Sequence, residues 1–459
     1  MPALSVLCAL PVQAQEGTPR SNAPGKPAET SADRYSLSVK SETYLQFFQR
    51  ALLPGPNGAL VSDETALPLS EYVFADARDI DSPWHDDSID VEVAAWGRLW
   101  PTSSNLEPLF DGDVQTASLR YHAGPAWVRL GRQQVVGGAA RFARFDGVTL
   151  GATQALGLFA EGYAGLSVLP RWNQRPGYHH LGALEDDLLR ESDDTLDRSS
   201  HWLAGGRLGY AIPRVHGSLS FHRQDAEGLE QQNLGADVGA QPLDELALGA
   251  SALLELDSQR FADVRLFVDA TPVRMLDLGA SFSRAEPALL LSRQSVLSVF
   301  TTDGYEELGG TFVLRALEFL RFEGNGYLQF YAGTGPGARG ELAARLASGR
   351  AYPMFVRVAY ARVIAPENGY QSVRVSFSKK LSREIGSTLE AYGYFYDESV
   401  LGYRASSVYA GTLSYQVSDP FQLLWGASVA HSPYAALDAQ TLLRASYQFD
   451  QPPPLARLR

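Results

Sequence analysis

The chain has 459 residues, 45% hydrophobic and 20% charged, with 39 Lys and Arg against 52 Asp and Glu for a formal net charge of −13. No stretch approaches the roughly 18 to 20 consecutive apolar residues of a membrane-crossing helix, which excludes a helical membrane protein. With this acidic balance no nucleic-acid partner is expected.

In chain order, the first feature is "ALSVLCALPVQAQ", a short apolar core followed by Val12 and Ala14 at the small-residue spacing of an export-signal cleavage point. Residues 1–14 read as a signal peptide, although no Lys or Arg precedes the core. The single cysteine, Cys8, lies inside this segment. Its removal would leave a mature chain without thiols, and so without disulfides, cysteine-ligated metals or thiol catalysis. A lipidated Cys8 is the competing reading, with Leu7 standing where such signals place a small residue. Residues 15–34 are rich in Pro, Gly, Ser and Ala and lack large apolar side chains, the composition of a disordered periplasmic leader.

From residue 35 to 450 the texture is uniform and one domain is expected, with 451–459 as a tail. What repeats is period two. In "SIDVEVAAWGRLW", Ile89, Val91, Val93 and Leu99 share one face, and Asp90, Glu92, Trp96 and Arg98 the other. The same alternation recurs in "ADVRLFVDA", "LDLGASFS", "FLRFEGNGYLQFY" and "QSVRVSFS". Side chains alternate across a strand, so each segment presents one apolar and one polar face. These runs of about 10 to 13 residues exceed the usual 5 to 6 of a sandwich or propeller strand. Full charges at mid-strand, opposite an apolar face, suit a wall with lipid outside and water inside. The predicted fold is an all-β transmembrane antiparallel barrel of about 20 strands, range 18 to 22, the uncertain crossings being "YVFADARD" and "NLGADVGA". Short links such as "VSDPF" and "KKLSRE" alternate with longer ones such as "DESVLGYRASS", "AGTGPGARG" and residues 284–303. Short periplasmic turns and longer extracellular loops are the pattern of an outer-membrane barrel.

A barrel of this size cannot fill its interior with wall side chains alone. The polar-face candidates for lining the lumen and setting selectivity are Arg98, Arg120, Arg129, Arg207, Asp263, Asp269, Arg321, Glu323, Arg357 and Arg374. Mixed signs set up transverse fields, whereas rings of one sign would select ions. The expected constriction is the segment 170–200, through Glu185, Asp186, Asp187, Asp193, Asp194 and Asp197, with a solvated outer loop as the plain alternative. Tyr178, His179 and His180 in that segment read as uncommitted, so no metal site is expected, nor any cofactor. "GPGARG" has dinucleotide-fingerprint spacing at Gly335, Gly337 and Gly340, but no acid follows about 20 positions on, and no enzyme is expected.

Two resemblances extend this reading. "LLRASYQFD", Leu442 to Asp450, resembles the last strand of outer-membrane β-barrels, which implies that Tyr447 and Phe449 are read by the barrel-assembly machinery. "VRLGRQQVVGGAARFARFDGVTLG", Val128 to Gly151, resembles the porins of the alginate-export type. Gly131, Arg132 and Gln133 match one element, and Phe145, Asp146, Gly147 and Val148 the other. The resemblance implies a solute-passing barrel, and the structural alternative is a glycine bend with an Arg–Asp pair across a turn. The function expected is an outer-membrane, porin-like channel of a Gram-negative bacterium. It would pass small hydrophilic or anionic solutes by diffusion, with lipid and lipopolysaccharide as surroundings. The alternatives are a polysaccharide-export barrel and a non-conducting scaffold or adhesion element.

Overall fold

The computed structural model describes residues 35–50, 64–81, 87–100, 110–154, 156–168, 201–226, 229–286, 289, 304–333, 335–348, 353–366, 368–433 and 435–451. Their strands are β1 (Ser36–Arg50), β2 (Glu64–Ala66), β3 (Leu69–Asp81), β4 (Ser88–Leu99), β5 (Phe110–Ala123), β6 (Ala126–Gly137), β7 (Arg141–Thr153) and β8 (Leu158–Ser167). Then come β9 (Trp202–Ile212), β10 (Val215–Ala226), β11 (Leu229–Leu243), β12 (Leu246–Glu255), β13 (Arg260–Val273), β14 (Leu276–Ala285), β15 (Tyr305–Leu317) and β16 (Leu320–Tyr331). The last are β17 (Gly335–Ser348), β18 (Met354–Ile364), β19 (Tyr370–Lys380), β20 (Ile385–Val400), β21 (Tyr403–Ser418), β22 (Phe421–Ser432) and β23 (Ala435–Gln451).

Every pairing is antiparallel between chain neighbours, and β1 pairs both β3 and β23, which closes the sheet. The three-residue β2 only adds to the far end of β1, with Phe48 opposite Ala66. Removing it from the 23 strands leaves a closed ring of 22. This is the upper end of the expected range, because both uncertain segments are strands, β3 and β11. Closure leaves the ring without a free end strand, the requirement for a sheet whose outer face meets no water.

The rim that carries Ser36 and Gln451 has only tight connections, from residues 124–125 or 213–214 up to 82–87. The opposite rim carries the long ones, 51–68, 168–201 and 286–304, beside turns as short as 401–402. Two segments expected as long loops are instead strand. "DESVLGYRASS" is a hairpin turning at Leu401–Gly402, and the link expected at "AGTGPGARG" is strand from Gly335 onward, where β17 begins. Gly337 and Gly340 face neighbouring strands inside the sheet. Residues 1–34, the acidic candidates Glu185, Asp186, Asp187, Asp193, Asp194 and Asp197, and the tail from 452 lie outside the described residues.

The two faces of the wall divide as the alternation predicts. Leu45, Val93, Leu150, Leu219, Leu266, Leu328, Leu342, Leu389 and Leu443 are exposed on the outer face. Charged side chains stand on the inner face and pair across strands, as in Arg129–Glu92, Arg207–Asp237 and Arg374–Glu390. Tyr447 and Phe449 are exposed on the outer face of β23, with Phe449 opposite Val39 of β1 beside the closing seam. Among the described residues, buried apolar clusters form in one region of the lumen, around Phe145 and around Ala139.

Candidate functional site

That region is built by β6 and β7, which leave the wall. β6 pairs with β5 only from Ala126 to Arg132, and β7 pairs with β8 only from Phe145 to Thr153. Beyond those points the two strands pair only with each other, up to Gly137 opposite Arg141. The hairpin Gln133–Arg144 thus bends into the lumen, capped by a 3-10 turn at Gly138–Ala140.

Residues of the motif between Val128 and Gly151 form its hinge. Gly131 has φ of 108°, and a Cβ there would sit 2.3 Å from the Ala117 carbonyl oxygen. A Cβ on Gly147 would sit 2.2 Å from the Ala164 carbonyl oxygen and 2.6 Å from the Gly165 Cα. Both obstacles are backbone, so only glycine admits the bend. Arg132 closes a fork on Asp146, Nε to Oδ1 at 2.8 Å and Nη2 to Oδ2 at 2.9 Å, the geometry that suits guanidinium and carboxylate. Gln133, 1% exposed, donates to the Gly147 carbonyl at 3.0 Å and accepts from Thr149 Oγ1 at 2.8 Å. Phe145 is fully buried with Ala143, Tyr163 and Leu203. The Tyr163 hydroxyl lies 3.0 Å from His222 Nδ1 on β10, which ties the hinge to the wall beyond it.

The hairpin's tip is anchored as well. The Ala139 N–H donates to Ser220 Oγ at 2.8 Å, and Asn233 Nδ2 donates to the Ala139 carbonyl at 3.3 Å. Ala139 is buried with Leu253 of β12 and Ala262 of β13, and Arg141 reaches Asp263 at 3.5 Å. At the hairpin's root Arg144 Nη1 lies 2.6 Å from Asp113, an ion pair outside hydrogen-bond angles, and Arg132 approaches the same carboxylate at 3.5 Å. A 22-strand ring is on the order of 40 Å across. The arm from Gln133 to Gly137 extends about 17 Å. It therefore spans one segment of the lumen, from β6 to β13.

The predicted lumen residues fall into separate groups around this hairpin. Arg120, Arg129 and Arg207 line a cavity behind it. Asp263 sits at its tip, held also by Arg265 at 2.8 Å. Across the ring, Glu323 lies 4.0 Å from Arg321 and 3.7 Å from Arg357, and Arg357 also hydrogen-bonds Glu341. Arg98 is buried between Trp96 and Trp100, 5.7 and 5.2 Å from the ring centroids, with Nε on Ser70 at 3.2 Å. Asp269 is exposed beside Gly279. Tyr327 and Tyr392 lie under the guanidiniums of Arg339 and Arg374 at 4.4 and 4.6 Å. These rings therefore offer no bare stacking track. Ser220, Asn233, His222, Tyr163 and Asp113, which hold the hairpin, carry no signal along the sequence, because each acts through a distant strand. The glycines at Gly131 and Gly147, bracketing a buried Gln133–Phe145 pair, are the one signal that marks the bend.

No protein-family model matches the chain, and no curated protein matches it. Among solved structures, the chain aligns over 90% of its length with 98% of OccAB4 of Acinetobacter baumannii, at 9% identity and a TM-score of 0.41. It aligns over 91% with 99% of a BenF-like porin from Pseudomonas fluorescens, at 10% identity and a TM-score of 0.41. The translocation pore of the P pilus usher aligns over 90% of this chain and 99% of its own, at 9% identity and a TM-score of 0.45. Likeness this slight distinguishes neither solute nor direction, and the fold rests on the closed strand pairing.

Proposed function

We propose that the chain is a diffusion channel of a Gram-negative outer membrane, passing small hydrophilic or anionic solutes through a lumen narrowed by the hairpin Gln133–Arg144. The observation that carries this reading is the closed ring with an apolar outer face, a charged inner face and one hairpin turned inward. Lumen arginines alternate with acids instead of forming a band of one sign, which favours small-solute passage over the continuous one-sign track of a polysaccharide-export barrel. In this reading Tyr447 and Phe449 are recognised by the assembly machinery, residues 1–14 are removed, and residues 15–34 and the tail face the periplasm. The acidic segment, from Glu185 to Asp197, supplies a second constriction or a lipopolysaccharide contact. Gly131–Gln133 and Phe145–Gly147 are the hinge through which the likeness to alginate-export-type porins acts.

Two measurements test it. Proteoliposomes holding the protein are expected to swell in iso-osmotic arabinose faster than in raffinose, and no swelling in either sugar sinks the channel reading. Leu342, 60% exposed on the outer face, stands near the middle of β17. Leu342→Arg is expected to cost about 2–4 kcal/mol in urea unfolding from vesicles, against 1 kcal/mol or less for Asn325→Arg on the lumen face. Equal costs at the two positions argue that the outer face does not meet lipid.

A further inference from the structure

Between the inward hairpin and strands β5 to β10 lies a cavity of about 220 Å³. Its charged lining is Arg120, Arg129, Arg207 and Glu161. Two of the four are committed elsewhere, Arg129 to Glu92 at 2.7 Å and Ser118, and Arg207 to Asp237 at 3.0 Å and Ser218. The other two are not. Arg120 lies over the Trp127 ring at 4.8 Å, and among the described residues its buried Nε has no acceptor. Glu161 faces Arg207, Arg120 and Arg129, yet among the described residues it accepts no hydrogen bond and forms no ion pair within 4 Å.

We propose that this cavity is a binding site for a small α-amino acid, with the carboxylate on Arg120 and the ammonium on Glu161. One uncommitted charge of each sign decides the class. A simple anion would face the Glu161 carboxylate, and a simple cation would meet three guanidiniums. A zwitterion satisfies both groups at once through charge-assisted hydrogen bonds. At about 30 Å³ per water molecule the cavity holds roughly seven waters, room for a solute of about six to eight heavy atoms. Val135, Ala139 and Ala140 on the hairpin side suit a short aliphatic side chain such as that of alanine. The proposal rests on the channel reading only for how the solute arrives, since the site belongs to the folded barrel itself.

The test is equilibrium binding to the intact protein in detergent, with L-alanine, acetate and methylammonium as separate probes and Trp127 fluorescence as readout, the Trp127→Phe protein serving as blank. L-alanine is expected to bind saturably and at least tenfold tighter than either half-probe. Arg120→Gln and Glu161→Gln are each expected to weaken it at least tenfold, in protein that keeps the gel mobility of the folded barrel, and Arg120→Lys is expected to restore part of the loss. Acetate binding as tightly as L-alanine overturns the proposal in favour of an anion site. Absence of saturable binding in protein that conducts in bilayers overturns the proposal and leaves the channel standing. Binding by protein that does not conduct upholds the site and removes the channel reading.

Discussion

Replacing Phe145 by Ala is expected to release the inward hairpin and enlarge the channel. Phe145 is fully buried and packs with Ala143, Tyr163 and Leu203, with its ring 5.6 Å from that of Tyr163. Truncating a buried Phe costs about 3–5 kcal/mol, because the cavity left behind closes only in part. That loss falls on the docking of the hairpin and spares the closure of the ring, which runs through β1 and β23 with no contribution from Phe145. Two readouts follow. Single-channel conductance rises, and trypsin gains access to Arg141 and Arg144 in the exposed hairpin. Unchanged conductance with unchanged resistance to trypsin would mean that Phe145 does not hold the constriction.

Replacing Arg144 by Ala is expected to have nearly as large an effect, by a different cause. The Arg144 side chain is 2% exposed, and its partner Asp113 on β5 is 9% exposed. Removing one member of a buried ion pair strands the other, at about 3–5 kcal/mol. The expected cost is at the low end, about 3 kcal/mol, because Arg132 remains 3.5 Å from Asp113 and takes up part of its charge. Adding Asp113→Asn to Arg144→Ala removes the stranded charge, and the double variant is expected to recover stability and conductance toward those of the parent. A double variant no better than the single one would show that lost packing, and not an uncompensated carboxylate, is the cause.

These two residues also show what the sequence could and could not disclose. The wall was legible because a lipid-facing and a water-facing side alternate with the pleat, so "FLRFEGNGYLQFY" declares both faces of β16 without any partner. Strand number was harder at "YVFADARD" and "NLGADVGA". There much of the outer side is carried by small residues such as Ala75 and Ala236, whose apolar signal is slight. Loop lengths misled at β20 and β21, which run to 16 residues each where about 9 to 11 cross a bilayer. The excess was read as loop. The hairpin was hidden for a related reason, since Val128 to Gly151 keep period two whether or not β5 and β8 flank them. Only the partners change, and partners such as Ser220, Asn233 and Asp263 are remote in sequence. What the residues did show was the chemistry of the bend. A glycine bend and an Arg132–Asp146 pair across strands were both among the readings open to the motif, and both are present.

The paired charges of the lumen bear on selectivity in the same terms. Arg357 between Glu323 and Glu341, and Arg374 on Glu390, cancel locally and leave little long-range field beyond roughly 8 to 10 Å in physiological salt. In the proposed channel, size would govern passage past the far wall, and charge would act near the hairpin, where Arg120 and Glu161 remain uncommitted among the described residues.

The most direct test of the account is single-channel conductance in a planar bilayer, comparing the intact protein with one in which residues 134–143 are replaced by a short Gly-Ser turn. Open steps from the intact protein, and larger steps from the trimmed one, are the predicted result. Steps of equal size would contradict the hairpin's role as a constriction, and silence from both would contradict the channel itself.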